Sequence, residues 1–158
     1  MKVGSISENK DLEKRIAITP EIVKKYISLG FEVSLSANYG SHLGINDKEF
    51  LDLGAKISND ENEILSNADI ILQLGMLSED KSSLIKENQT LIGVLNPYDN
   101  KEKLTNLSKK KINIFSLELL PRITRAQSMD ILSSQANLAG YKAVIEAFAS
   151  FQKAIPMM

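Results

Sequence analysis

Short apolar runs alternate with helix-like segments along most of the chain. Each run has the length of a strand. The segment after it shows helix signals such as a capping hydroxyl, proline at the first helical position or a closing glycine. Residues 69–74 form a nearly continuous apolar run, as in a parallel strand that helices cover on both faces. Strands are predicted at 2–6, 31–35, 69–74, 90–95 and 112–117, with a further short extended piece at 55–57.

Helices are predicted between these strands and after the last of them. Thr19, Pro20 and Glu21 begin the first helix, and Gly30 closes it. The others are predicted at 47–54 with Asp47 as the cap, 59–67, 79–86, 100–110, and from about Ala126 or Ser133 to Lys153, the last extending over about 133–158. This alternation predicts an α/β fold, with an open, mostly parallel sheet of about five strands and helices on both faces, ending in a long helix. We interpret residues 1–158 as a single α/β domain.

Composition and charge exclude several classes of function. The 158 residues carry 19 basic and 20 acidic side chains and no cysteine, which excludes disulfide frameworks, thiolate zinc sites and cysteine nucleophiles. The formal net charge of -1 gives no reason to expect nucleic acid as a partner. No apolar run approaches the ~20 residues that span a bilayer. The basic cluster at residues 109–111 is interpreted as a solvated helix end, which the helix dipole favours.

Sequence motifs for phosphate or metal binding are absent. The turn Gly-Ser-His-Leu-Gly around His42 has neither G-x-G-x-x-G spacing nor a G-K-[ST] ending, so the predicted fold is Rossmann-like or flavodoxin-like without a glycine fingerprint. His42 is the only histidine, and we interpret it as a surface-loop residue and predict no metal site. Two acidic pairs, Glu61/Glu63 and Glu79/Asp80, lie at predicted helix starts, where the helix dipole favours them, and no function is assigned to them.

One polar segment, residues 121–137, follows the last predicted strand and contains side chains suited to a ligand. Arg122 and Arg125 are two of the three arginines in the chain, and Arg15 is the third. A guanidinium suits ribose hydroxyls, a carboxamide or a phosphate. In an open α/β sheet, the segment after a strand also lies at the edge where ligands bind.

The same segment also fits a simple helix start. Thr124 and Gln127 match an S/T-x-x-Q capping box, and Ser133 or Ser134 fits the cap of the last helix. The residue types alone leave a binding loop and a helix start equally open.

The stretch from Arg122 to Tyr141, R-I-T-R-A-Q-S-M-D-I-L-S-S-Q-A-N-L-A-G-Y, closely resembles a segment of the alpha subunit of proton-translocating NAD(P) transhydrogenase. The opening M-K-V-G-S-I-S-E and the run R-I-A-I-T-P from Arg15 to Pro20 resemble the start that this subunit shares with alanine dehydrogenase. The resemblance covers essentially the whole chain. It implies the N-terminal domain of the subunit, the first lobe of its NAD(H)-binding component. We therefore expect a domain cut from a longer polypeptide, whose last helix leads to a missing Rossmann lobe, and we expect no activity from it alone.

In that family the segment holds the nicotinamide of NAD(H) for hydride transfer to NADP+. The resemblance implies Arg122, Gln127, Asp130 and Ser133 as cofactor-binding residues, with Gln127 and Asp130 in the catalytic site. Arg122 would donate hydrogen bonds to the nicotinamide side, Asp130 would accept them from a ribose hydroxyl or the carboxamide, and Ser133 would bond the carboxamide. Gln127 would reach toward NADP(H). Direct hydride transfer needs positioning rather than a general acid or base.

The resemblance also implies partners and a location. The partners are the NAD-binding Rossmann lobe, an NADP-binding domain that holds NADP(H), and a membrane-embedded subunit, with a homodimer in the full subunit. The location is that of a soluble component on the cytoplasmic side of a membrane complex.

Two alternatives stay open. An alanine dehydrogenase-like domain would keep Arg15, but Leu-Gln-Leu-Gly-Met after the apolar strand has no lysine, and Val-Leu-Asn-Pro after the next has no histidine. That reading is disfavoured, because oxo-acid chemistry needs a cation and an acid/base group there. Arg15 is then assigned to a vestigial pocket or a structural ion pair. The second alternative is a structural or assembly module without activity.

Overall fold

The chain forms two compact units, residues 1–117 and the residues from Glu118 onward. The computed structural model describes residues 1–154, so the predicted helical residues 155–158 lie outside the described part. The first unit holds the sheet and five α-helices, and the second holds the long C-terminal helix.

Strands and helices alternate through the first unit. The Thr19 side chain caps the first helix by accepting from the Ile22 N–H, and Pro20 follows where its missing N–H has no consequence. The elements are β1 Lys2–Ser5, α1 Pro20–Ser28, β2 Glu32–Ser36, α2 Asp47–Asp52, β3 Lys56–Ser58, α3 Glu61–Asn67, β4 Ile70–Gln73, α4 Glu79–Ser83, β5 Thr90–Gly93, α5 Lys101–Lys109 and β6 Asn113–Ser116.

The six strands form one parallel sheet in the order β3-β2-β1-β4-β5-β6. Strand β1 lies at the point where the strand order reverses, since Val3 pairs with Val33 of β2 on one side and with Ile70 of β4 on the other. In open α/β sheets, ligand crevices lie beyond the carboxyl ends of the strands at such a point. The predicted open parallel α/β sheet is confirmed.

The hydrophobic core consists of two clusters on opposite faces of the sheet. In β4, Ile70 and Leu72 pack against one cluster and Ile71 belongs to the other, because successive strand residues point to opposite faces. One cluster joins β1 and β2 to α1 and α2, and the other joins β4 and β5 to α3 and α5. Their buried members include Val3, Val23, Val33, Leu35 and Phe50 in the first, and Ile64, Leu65, Ile71, Leu91 and Leu107 in the second.

Two local predictions differ from the structure. The extended piece at 55–57 is a true strand, β3, which pairs with β2, so the sheet has six strands rather than about five. Asn46, not Asp47, is the cap of α2, because Asn46 and Glu49 form a reciprocal capping box. One Asp47 carboxylate oxygen instead accepts from the Asn38 N–H at 2.9 Å.

A single long helix, α6 (Ile131–Ser150), dominates the second unit. It begins neither at Ala126 nor at Ser133, because residues 124–129 form a 3-10 helix and Asp130 is the α6 cap. It stops at Ser150, before the predicted end, because Phe151 has extended backbone angles. No helix within residues 1–154 combines the length and hydropathy that crossing a membrane requires.

Candidate functional site

The polar segment after β6 is organised around Asp130. One Asp130 carboxylate oxygen accepts from the Ser133 N–H at 3.0 Å, and the other accepts from the Ser133 hydroxyl at 2.7 Å. Asp130 is therefore the cap of α6, and the predicted serine caps are wrong. A carboxylate is favoured here because the first N–H groups of a helix lack partners and carry partial positive charge.

Asp130 is held as a carboxylate near a guanidinium. The Ser133 N–H and hydroxyl, with a smaller contribution from the Arg122 charge, hold the pKa of Asp130 below its ordinary value. Arg122 Nε lies 3.9 Å from Asp130 Oδ2, and 68% of the Arg122 side chain is exposed against 16% for Asp130. The arginine thus keeps most of its donors available to solvent or a ligand.

The four residues implied by the resemblance line a single hollow of about 310 Å³ in the second unit. Its lining consists of Arg122, Ile123, Thr124, Gln127, Asp130 and Ser133. Gln127 reaches it from the 3-10 helix Thr124–Met129, one turn before Asp130. The predicted Thr124/Gln127 capping box does not form, because Ile123 is the cap of that helix and makes no side-chain bond. Gln127 is not engaged as a helix cap.

Other candidate residues have local structural partners. Arg15 forms an ion pair with Glu13 at 2.6 Å, and Glu61 forms one with Lys81 at 2.7 Å. His42 is exposed, with Nε2 at 2.8 Å from the Lys14 carbonyl oxygen. The basic cluster at 109–111 lies at the end of α5, as predicted.

A buried polar network, not anticipated from the sequence, lies where β1 and β4 end. The Tyr39 hydroxyl is 2.7 Å from Ser5 Oγ and accepts from the Ala17 and Ile18 N–H groups at 3.1 and 3.2 Å. Ser5 Oγ donates to the Leu72 carbonyl at 2.7 Å. Burial raises the pKa of Tyr39 to about 12, so the phenol stays neutral.

Glu8 lies at the same edge of the sheet and was also missed. Its carboxylate accepts from the Leu74 N–H at 2.5 Å and from the Gly75 N–H at 3.3 Å. Burial raises the pKa of Glu8 above its ordinary value, while the two amide hydrogen bonds oppose that shift. The only sequence signal is an acidic residue three positions after a strand, which is too common to indicate a site.

The strand order and the site together define a class of protein. The order β3-β2-β1-β4-β5-β6 is that of dinucleotide-binding α/β domains, here without the glycine-rich turn that binds pyrophosphate. The chain belongs to the family described as "Alanine dehydrogenase/PNT, N-terminal domain", whose model matches residues 4–139.

Within that family, the chain is more similar to transhydrogenases than to alanine dehydrogenase. It is 43% identical to an NAD(P) transhydrogenase subunit alpha chain of Rickettsia prowazekii, over 100% of this chain and 42% of that protein. An alanine dehydrogenase of Methanococcus maripaludis is 28% identical over 89% of this chain and 37% of that protein. The crystal structure of transhydrogenase from Sinorhizobium meliloti matches with a TM-score of 0.90 and 40% identity, over 100% of this chain and 47% of that one. The chain thus spans less than half the length of these relatives.

Proposed function

We propose that the chain is the first lobe of the NAD(H)-binding component of an NAD(P) transhydrogenase. In this proposal, Arg122, Gln127, Asp130 and Ser133 position the nicotinamide end of NAD(H). One observation carries the assignment: these four side chains, spread over twelve positions, line one hollow. The similarity to transhydrogenase alpha subunits supports it.

The available donors and acceptors fit a carboxamide and a ribose hydroxyl. Arg122 supplies N–H donors for a carbonyl oxygen. Ser133 spends its one hydroxyl proton on Asp130, so its oxygen is left to accept from an N–H group. Each Asp130 oxygen takes one hydrogen bond from Ser133 and has a second lone pair for a ligand hydroxyl. The hollow has no glycine-rich turn for a pyrophosphate, so the adenosine and pyrophosphate end would bind to a separate Rossmann lobe.

When bound, the dihydronicotinamide supplies the hydride. The side chains of this segment need only fix the ring, because no proton is transferred at the reacting carbon. The capped start of α6 holds Asp130 and Ser133 in fixed orientation, and Arg122 stays close to Asp130. Gln127 would lie toward the second nucleotide, NADP(H), held on a partner domain.

The proposal extends to the assembly. The missing Rossmann lobe, an NADP-binding domain and a membrane-embedded subunit would complete the enzyme, with a homodimer in the full subunit and this lobe on the cytoplasmic side. Alanine dehydrogenase chemistry is not favoured, because Gly75 and Asn96 lie in the segments where that enzyme carries its lysine and histidine.

Aspartate-to-asparagine variants in the complete subunit test the role of Asp130. Asparagine is as good a helix cap as aspartate, so Asp130→Asn keeps α6 intact and removes only the charge. Asp60→Asn is the matched control, because Asp60 caps α3 through the Asn62 N–H at 2.9 Å. We expect Asp130→Asn to slow single-turnover hydride transfer on the order of 100-fold with little change in NADH affinity, as expected for a misplaced ring. Asp60→Asn should transfer at the wild-type rate.

A purely structural role for the segment predicts the opposite pattern. Asp130→Ala would then lower the melting temperature, while Asp130→Asn would melt and transfer hydride like the wild type. That result would remove the segment from the cofactor site.

A further inference from the structure

Two consecutive backbone amides after β4 already bind a carboxylate. Each oxygen of Glu8 takes one of them, Leu74 N at 2.5 Å and Gly75 N at 3.3 Å. The contact joins residues 66 and 67 positions apart, so it is not a local turn. Adjacent N–H groups that point at one anion are a common mode of carboxylate recognition in proteins.

The surroundings of this amide pair suit an anionic ligand. Glu8 is half-buried, so the site is shielded from bulk water but open to it on one side. The charge of Lys81 favours a carboxylate at this position, and the charge of Glu13 opposes it. Arg15 also interacts with the Glu8 charge. The site follows the ends of β1 and β4, where the strand order reverses and α/β sheets hold their ligands.

We propose that the Leu74 and Gly75 amides form a binding site for a small carboxylate, and that Glu8 occupies this site as an internal ligand. Glu8 thereby excludes free carboxylic acids from the crevice between β1 and β4. This inference is independent of the proposed function, because it concerns neither the second unit nor a nucleotide.

The proposal predicts that an external carboxylate can replace the missing side chain. Glu8→Ala removes one methylene and the carboxylate, which together have the size of acetate. Glu8→Gln is the matched control, because its amide keeps the same shape and still fills the site. The 158-residue chain is titrated at pH 7 with sodium acetate, and with acetamide as an uncharged probe of the same size. Thermal unfolding and the Leu74 and Gly75 amide resonances are followed.

Acetate is expected to raise the melting temperature of Glu8→Ala by about 3–6 °C more than that of the wild type, saturating as a single site. It should shift the Leu74 and Gly75 resonances in that variant only. Acetamide should do neither, and Glu8→Gln should respond like the wild type. Should Glu8→Ala not fold alone, acetate but not acetamide in the refolding buffer should recover folded protein.

Several results would overturn the proposal. Equal acetate responses in Glu8→Ala and wild type, or an equal response in Glu8→Gln, would place acetate elsewhere. Unmoved Leu74 and Gly75 resonances at saturating acetate, or no rescue on refolding, would mean that Glu8 only braces the loop.

Discussion

Replacing Tyr39 with phenylalanine removes one oxygen from the centre of the buried network beside β1. Ser5 uses its only hydroxyl proton on the Leu72 carbonyl, so the Tyr39 proton goes to Ser5 Oγ and the Tyr39 oxygen accepts from Ala17 and Ile18. The ring itself is 1% exposed, so phenylalanine fills the same space. The substitution therefore reports on the hydroxyl alone.

The expected loss follows from the two amides left without an acceptor. A buried unsatisfied donor costs about 1–3 kcal/mol. Ile18 is 0% exposed and should contribute the full cost, whereas Ala17 is half-buried and water can partly replace the lost partner. We expect Tyr39→Phe to lose about 2–4 kcal/mol in the free energy of unfolding, or roughly 10 °C in melting temperature for a chain of this size.

Urea and thermal unfolding measure this loss directly, with Tyr98→Phe as the control. Tyr98 is 83% exposed, so the same substitution there should change the free energy by less than about 0.5 kcal/mol. If Tyr39→Phe and Tyr98→Phe unfold alike, the network contributes nothing and the reasoning fails.

The pH dependence gives a second check on the same residue. Burial raises the pKa of Tyr39 from 10.0 to about 12, so the folded chain favours the neutral phenol. Its contribution is complete below pH 10 and is lost as the pH rises through 12. Tyr39→Phe should lack this alkaline loss, and an equally steep loss in both proteins would contradict it.

Three further predictions concern other parts of the chain. A Cβ at Gly93 would lie 2.2 Å from the Gln73 carbonyl oxygen, so Gly93→Ala should break the β4–β5 pairing and sharply lower the melting temperature. Gly140→Ala in α6 meets nothing within 4 Å and should stabilise by about 0.5–1 kcal/mol, and the reverse order would refute the packing argument. Arg15 is half exposed in its pair with Glu13, so in the complete subunit Arg15→Ala should change stability by at most about 1 kcal/mol and turnover still less, and a large loss of hydride transfer would contradict this. The 158-residue chain alone should bind NADH weakly or undetectably by calorimetry, because it lacks a phosphate-binding turn, and a micromolar Kd would contradict our division of the site.

The order of elements was predictable because it depends on local patterns. Apolar runs of strand length and capping residues such as Thr19 act over a few positions, and the α/β fold followed from them. Strand β3 was predicted only as an extended piece, because three residues carry too little periodicity. The cap of α2 was misplaced by one residue, because Asn46 and Asp47 are equally good caps by type.

The candidate site divides in the same way. The clustering of Gln127, Asp130 and Ser133 follows from short spacings and a helix cap, so a recognisable motif carried it. The contacts of Tyr39 with Ser5 and of Glu8 with Leu74 join residues 34 and 66 positions apart. Only the folded sheet brings these residues together, and no local pattern in one sequence indicates such pairs.

The central claim is that the segment from Arg122 to Ser133 contacts the nicotinamide end of NAD(H). The most direct measurement compares NADH with ADP-ribose, which lacks only the nicotinamide, in the complete subunit that contains this lobe. Backbone amide resonances of Gln127, Asp130 and Ser133 are followed as each ligand is added to saturation. The account predicts that NADH shifts these resonances and that ADP-ribose leaves them in place. Equal shifts with both ligands, or none with either, would contradict it.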